Sequence, residues 1–292
     1  MFNKGSSRID YCEHLMIRLL PPWPALLVEG EERVLLASDF HLGLEYELAK
    51  MGVSIPYQTE RIIDELLTVV RENKPDRVIL LGDIKHGVPI TSFQERREIP
   101  RFFEALKKEV ENVDVVRGNH DANIQQIIPE NINLHSSSGF LLGDKHKLAA
   151  IHGHAWPNPR VLSADLIVMG HNHPTVLLKT PLGVRISQRV WVKGLCKGSD
   201  LAKAILKQKG LDANEDPSEN FEKLFGLKLV NPQIVLMPSF NDLLGGMPIN
   251  SEFPKNLLSP MLSSGAVKID DFEVYLLDGT FLGKVNFLRS LV

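Results

Sequence analysis

The feature that most constrains this chain is a pattern met five times: a short apolar run that stops abruptly on a carboxylate, an amide or a histidine. It is clearest from Arg77 to His86, where Val78-Ile79-Leu80-Leu81 gives way to Gly82-Asp83 and, three residues on, His86. The other four runs end in Ser38-Asp39-Phe40-His41, Gly118-Asn119-His120-Asp121, His152-Gly153-His154 and Gly170-His171-Asn172-His173. Runs this short and this apolar, closed by turn-forming residues, read as buried strands. Five strands therefore bring Asp, Asn and His to one edge of a sheet. Seven of the ten histidines fall in these tips, and the other three, His14, His135 and His146, read as ordinary polar loop residues.

The intervening segments set the fold class. Ile62, Ile63, Leu66, Leu67 and Val70 recur at helical spacing and predict an amphipathic helix from about Tyr57 to Asn73, closed by Lys74-Pro75-Asp76. A second helix, with Pro100 as its first residue, buries Phe103, Leu106 and Val110. Strands alternating with helices predict an α/β protein with a largely parallel sheet covered on both faces. A hairpin broken at Pro21-Pro22-Trp23-Pro24 precedes the first core strand. Beyond Phe140 the chain is mostly β, with hairpins turning at Gly143-Asp144 and at Pro181-Leu182-Gly183. Residues 197–227 read as a charged, helical, solvated insertion that caps one side of the sheet, or as part of a partner interface, in what is otherwise a single domain over 1–292, and strands resume at Gln233 and Phe272.

Composition removes several function classes. A net charge of -3 and a pI near 6.4 give no support to binding nucleic acid through bulk positive charge, though a local basic groove would not show in the total. Cys12 and Cys196 are the only cysteines, so neither a disulfide framework nor a thiolate zinc site is indicated, and a cytoplasmic location is expected. No stretch approaches the roughly 20 apolar residues that a membrane helix needs, and no signal peptide is expected.

The tips carry the chemistry. Asp39 and His41 stand two apart, as do His171 and His173, so each pair would project to one side of an extended tip. With Asp83, Asn119 and His152 they form a set of hard oxygens and borderline imidazole nitrogens without thiolate. Such a set suits Mn, Fe, Ni or Zn better than Ca or Mg alone. Two ions about 3.5–4 Å apart need a bridging ligand, and a carboxylate serves because its two oxygens and charge offset the repulsion between cations. Asp83, at the tip of the run where the pattern is clearest, is the expected bridge. Gly82 and Gly118 are expected to let the backbone turn sharply beside the metals.

The series Asp39-x-His41, Gly82-Asp83-x-x-His86, Gly118-Asn119-His120-Asp121, His152-Gly153-His154 and Gly170-His171-x-His173 resembles the signature of the calcineurin-like metallophosphoesterase superfamily, over about residues 34–174. The stretches Pro238 to Gly246 and Leu276 to Gly283 are similar to a compact branch related to the SbcD and Mre11 nucleases. The resemblance implies a four-layer α/β/β/α sandwich. It also implies one metal on Asp39, His41 and His173, a second on Asn119, His152 and His171, and Asp83 shared, with Mn the foremost candidate. The activity implied is hydrolysis of P–O bonds in phosphodiesters by a metal-activated hydroxide, on a phosphate-ester substrate of the nucleotide or nucleic-acid class. His120 would stabilise developing charge or protonate the leaving group, Asp121 would orient His120 or cap the following helix, and His86 would contact phosphate. His154 stands as a ligand, a substrate contact or a hydrogen-bond partner. The competing reading is a non-catalytic, metal-bearing interaction module; degenerate members lose a ligand or the His120 equivalent, and here each is present. Lys85 and Arg117 read as solvated charges, Trp156 as a packing residue, and the loop from Pro238 to Met247 as a buried segment or a dimer contact.

Overall fold

Each of the five apolar runs forms a strand in the computed structural model, which describes residues 8–12, 15–180, 182–213, 216–251 and 259–291. His14 and Pro181, read above as a loop residue and a hairpin bend, lie outside the described residues. One sheet has the order β1 (Arg8–Cys12), β2 (Leu15–Leu19), β3 (Leu26–Glu29), β4 (Arg33–Ala37), β5 (Arg77–Leu80), β6 (Asn112–Val116) and β7 (Asn133–His135). It is antiparallel up to β4 and parallel from β4 to β7. The second sheet centres on β9 (Leu148–Ile151), β10 (Leu166–Met169) and β13 (Gln233–Leu236), which run parallel. Antiparallel strands flank them: β8 (Phe140–Leu142) on one side, and β12 (Arg185–Leu195), β11 (Pro174–Lys179) and β14 (Met247–Pro248) in turn on the other, β14 pairing parallel to β11. A branch of β15 (Glu273–Leu276) and β16 (Phe281–Lys284) joins β12.

The period-two alternation of strand side chains explains why there are two sheets. Val78 and Leu80 point one way, joining Leu35, Ala37, Val113 and Val115 beneath Ile62, Leu66, Phe102 and Phe103 of two helices. These helices are α2 (Thr59–Asn73) and α3 (Phe93–Lys107); a shorter one, α1 (Leu44–Lys50), follows His41 directly. Ile79 and Leu81 point the other way and meet Ala150, Val168, Val235 and Met237 of the second sheet. The far face of that sheet, with Ile151, Ile167 and Leu236, is covered by Leu201, Ile205 and Phe221. These last belong to α4 (Gly198–Gln208) and α5 (Pro217–Phe225). The order of layers is α/β/β/α. Each fully buried aliphatic side chain contributes roughly 1.5–3 kcal/mol, so the strands are held from both faces and only their ends remain available for chemistry.

Two local expectations, at Pro100 and His135, differ from what the structure shows. Pro100 lies inside α3, whose start is set by Ser92: its hydroxyl accepts from the Glu95 amide at 3.2 Å while the Glu95 carboxylate accepts from the Ser92 amide at 2.5 Å. That reciprocal cap satisfies two orphan amides and outweighs the proline as a start signal. The segment 197–227, read as a helical insertion capping one side of the sheet, covers the far face of the second sheet through α4 and α5, with its charges on one helix face and its apolar residues on the other. His135 is a strand residue that bonds Asp114 at 2.6 Å and stacks on Phe140. No described helix is long and apolar enough to cross a membrane.

Candidate metal centre

The carboxyl ends of β4, β5, β6, β9 and β10 converge at one end of the sandwich, and the backbone there leaves the strand conformation at once. Asp39, His41, Asp83, His171 and His173 have φ between 39 and 67°, in the left-handed region, where side chains other than those of Gly, Asn and Asp are uncommon. The pairs two apart in sequence therefore do not share a side by strand alternation, as the extended reading assumed; successive left-handed turns aim them. The tips of β4 and β5 stay paired beyond the strands, with the His41 amide donating to the Asp83 carbonyl at 2.8 Å and the Leu42 amide to the Ile84 carbonyl at 2.8 Å. Gly82 turns at φ 81°. Gly118 answers a different need: a Cβ there would lie 2.1 Å from Asp83 Oδ1, so the β6 tip can approach only without a side chain.

Two groups of potential ligands result. Asp39, His41 and His173 offer donor atoms within 4.8 Å of one another, and so do Asp83, His152 and His171. Asp83 stands between the groups: its Oδ2 is 3.3 Å from His41 Nε2 and 3.4 Å from His152 Nε2. Asn119 Oδ1 lies 3.2 Å from the same His152 nitrogen, which brings the amide to the second group. His173 Nε2 is 3.0 Å from Asp39 Oδ1. His41 Nε2 and His173 Nε2 are buried and make no hydrogen bond despite these facing carboxylate oxygens. Lone pairs so close in a dry site call for a cation between them, and the donor set fits two divalent ions. His154 stands outside both groups, its ring centroid 5.1 Å from that of His152.

The remaining tip residues are placed less evenly. His86 Nδ1 is 3.0 Å from His41 Nδ1, and the His86 carbonyl lies 2.6 Å from His120 Nδ1. His41, His86 and His120 form a third close group at the edge of the first two. Asp121 is where the structure departs from expectation. Its Oδ2 accepts from the Gly118 amide at 2.8 Å and its Oδ1 from the Ile84 amide at 2.9 Å and the Lys85 amide at 3.4 Å. With both oxygens committed to backbone amides and 1% of the residue exposed, it neither orients the His120 ring nor caps a helix. It ties the β6 tip to the β5 tip. Lys85, read as a solvated charge, is fully buried and donates to the Gly87 carbonyl.

Residues 33–191, more than half of the chain, match the family model of the calcineurin-like phosphoesterase superfamily domain. The chain belongs to that superfamily. The crystal structure of the Pseudomonas putida nuclease MPE is similar to this member of the superfamily with a TM-score of 0.54, at 18% sequence identity, over 94% of this chain and 98% of that one, a likeness of fold. YfcE, a phosphoesterase from E. coli, is similar over 52% of this chain and 75% of its own, at 18% identity and a TM-score of 0.33. No curated protein matches the chain.

In this superfamily member the electrostatics follow from burial against pairing. Burial pushes the Asp83 carboxyl up, but the facing His152 and His41 imidazoles win and hold it below the usual range. Asp39 is likewise lowered, by His173 and His152 against burial. His152 lies between the two carboxylates and rises to about 9 against its own desolvation, whereas burial takes His86, His154 and His171 down to about 4. Supporting residues that the motif reading missed hold the tips in place. Ser38 Oγ donates to Asp39 Oδ2 at 2.6 Å, and Asn241 Nδ2 donates to the Phe40 carbonyl at 2.9 Å. Phe240 stacks on Phe40 at 4.8 Å and its amide donates to the Ser38 carbonyl at 2.7 Å. The loop from Pro238 to Met247 is thus a brace for the β4 tip. Its signal in the sequence was its position, directly after an apolar strand like the five motifs.

Proposed function

We propose that this chain is a dinuclear metal-dependent phosphodiesterase, a single domain working in the cytoplasm on diesters of the nucleotide or nucleic-acid class. One observation carries the reading: a single oxygen, Asp83 Oδ2, lies within 3.4 Å of one imidazole from each ligand group, where a bridging carboxylate belongs. Asp39, His41 and His173 would hold one ion and Asn119, His152 and His171 the other, with Mn the first choice and Fe, Ni or Zn its alternatives. When bound, such a pair neutralises phosphate charge and makes water acidic enough to supply a nucleophile at neutral pH.

The rest falls to the chain. His120 donates from Nδ1 to a carbonyl, which can only accept, so its exchangeable nitrogen is Nε2, which in the imidazolium form carries a second proton that it passes to a leaving alkoxide, leaving the neutral Nδ1–H ring. His86 has Nδ1 engaged by His41 and keeps Nε2 for a phosphate oxygen. The name of the Pseudomonas putida protein, a nuclease, supports the choice of diesters over monoesters. The test is hydrolysis of bis(p-nitrophenyl) phosphate and of a dinucleotide, with Mn, Fe, Ni or Zn supplied in turn and with chelator. Turnover that needs metal is expected; a folded, metal-loaded protein inert on every diester would leave the interaction-module reading in its place.

A further inference from the structure

Glu95 belongs to no motif of the family pattern, yet it is a carboxylate with only 1% of the residue exposed, placed behind the catalytic tip. Its Oε2 accepts from the Ser92 amide at 2.5 Å, completing the cap of α3. Its Oε1 performs a second task, accepting from the His86 amide at 3.0 Å and from the Gly87 amide at 2.6 Å. The Gly87 N–H and the His86 C=O belong to one peptide plane and point in opposite directions. At the far end of that plane the His86 carbonyl accepts from His120 Nδ1 at 2.6 Å. A buried anion on one side of a rigid peptide thus polarises and fixes the carbonyl that holds the histidine on the other side. Space enforces the contact: a Cβ on Gly87 would lie 2.8 Å from Glu95 Oε2, and one on Gly43 would lie 2.8 Å from Glu95 Cγ.

We infer that Glu95 is a positioning residue, which sets the ring orientation and tautomer of His120 through the His86–Gly87 peptide. This rests on the role given to His120 above. The orientation matters most where the leaving group is poor, because an alkoxide needs a proton that p-nitrophenolate does not. Glu95→Ala therefore lowers turnover of a dinucleotide about 10–100-fold, the usual effect of removing an outer-shell partner, while bis(p-nitrophenyl) phosphate loses less than about threefold. Ser92→Ala removes the cap hydroxyl but leaves the clamp, so it lowers the denaturant midpoint with no change in the ratio of the two rates. Glu95→Gln keeps an acceptor for the His86 and Gly87 amides and restores that ratio.

The experiment measures both substrates on the metal-loaded enzyme for these variants and for His120→Ala. It also records the ring-nitrogen NMR signals of His120 in the Zn-loaded protein. Wild type and Ser92→Ala are expected to show one Nδ1–H tautomer and Glu95→Ala a mixture. If Glu95→Ala does not fold, Glu95→Asp, which keeps the charge at the helix start but is one methylene too short for the clamp, takes its place. A Glu95→Ala or Glu95→Asp variant that folds, keeps a single tautomer and tracks Ser92→Ala in its rate ratio overturns the inference. Equal losses on the two substrates in His120→Ala would instead strike at the leaving-group role of His120, and the NMR signals would then decide on Glu95 independently.

Discussion

Asp83 and His120 sit 37 positions apart and touch, the His120 amide donating to Asp83 Oδ1 at 2.8 Å, yet they are expected to answer mutation in opposite ways. In the proposed arrangement Asp83 serves both ions, so removing it takes a donor from each site at once. Asp83→Ala should therefore drop metal content from two ions per chain to one or none, measured by elemental analysis after gel filtration; a variant retaining both would show that the ions do not share it. His120→Ala should keep its metals and lose about 10²–10⁴ in turnover of an unactivated diester, the range for one general acid. Loss of metal in that variant would make His120 a ligand. At this scale the sequence was legible wherever chemistry depends on residue type: Asp, Asn and His after apolar runs. It was illegible for Asp121, whose type suits catalysis, a cap or a clamp equally, and whose partners Ile84 and Lys85 are set by where the β5 tip turns.

Secondary-structure elements were legible by period and less so at their ends. Helix α2 begins within two residues of its expected start; α3 begins at a Ser-x-x-Glu box that the weight given to Pro100 obscured. The strand tips show why ends matter here. At Gly118 the β6 tip passes Asp83 with no room for a side chain, and its substitution belongs to this scale because a Cβ there would meet the Asp83 backbone nitrogen as well as its carboxylate, so the tip itself must move. Gly118→Ala should destabilise by roughly 1–3 kcal/mol, the usual cost of overpacking, and weaken metal binding, as read by denaturant midpoint and by metal titration. Unchanged metal affinity would show that Asp83 can yield without leaving its place.

Across the whole molecule the two sheets are joined by apolar contact and, at one edge, by a charged network of the first sheet that stacks on the second. Arg77 bonds Asp114 at 2.6 Å and Glu32 at 2.8 Å, while His135 bonds the other Asp114 oxygen and stacks on Phe140 of the second sheet. Burial pushes the Asp114 carboxyl up, but His135 and Arg77 hold it below 3.8. Because the folded value is depressed, the stabilisation is fully present above the unfolded value of 3.8 and is lost as pH falls through the folded one. Asp114→Ala should cost about 2–3 kcal/mol at pH 7, less than a fully isolated buried pair because Glu32 still holds Arg77. Urea unfolding should show that cost shrinking below pH 3.8; a constant difference down to pH 2 would exclude the ionised carboxylate as its source.

What the linear chain determined by itself was local: strands buried on both faces, helices between them, and a polar group of coordinating type wherever an apolar run ends. Short-range sterics and the alternation of apolar residues are sufficient for that. What only the tertiary structure decided was who meets whom: Asp83 between His41 and His152, Asp121 spent on backbone amides, Glu95 reaching the peptide behind His120, Asn241 bracing a tip two hundred residues earlier in the chain. Those meetings depend on the stacking of two sheets and the left-handed turns at their ends, and a through-space distance leaves no mark on residue spacing.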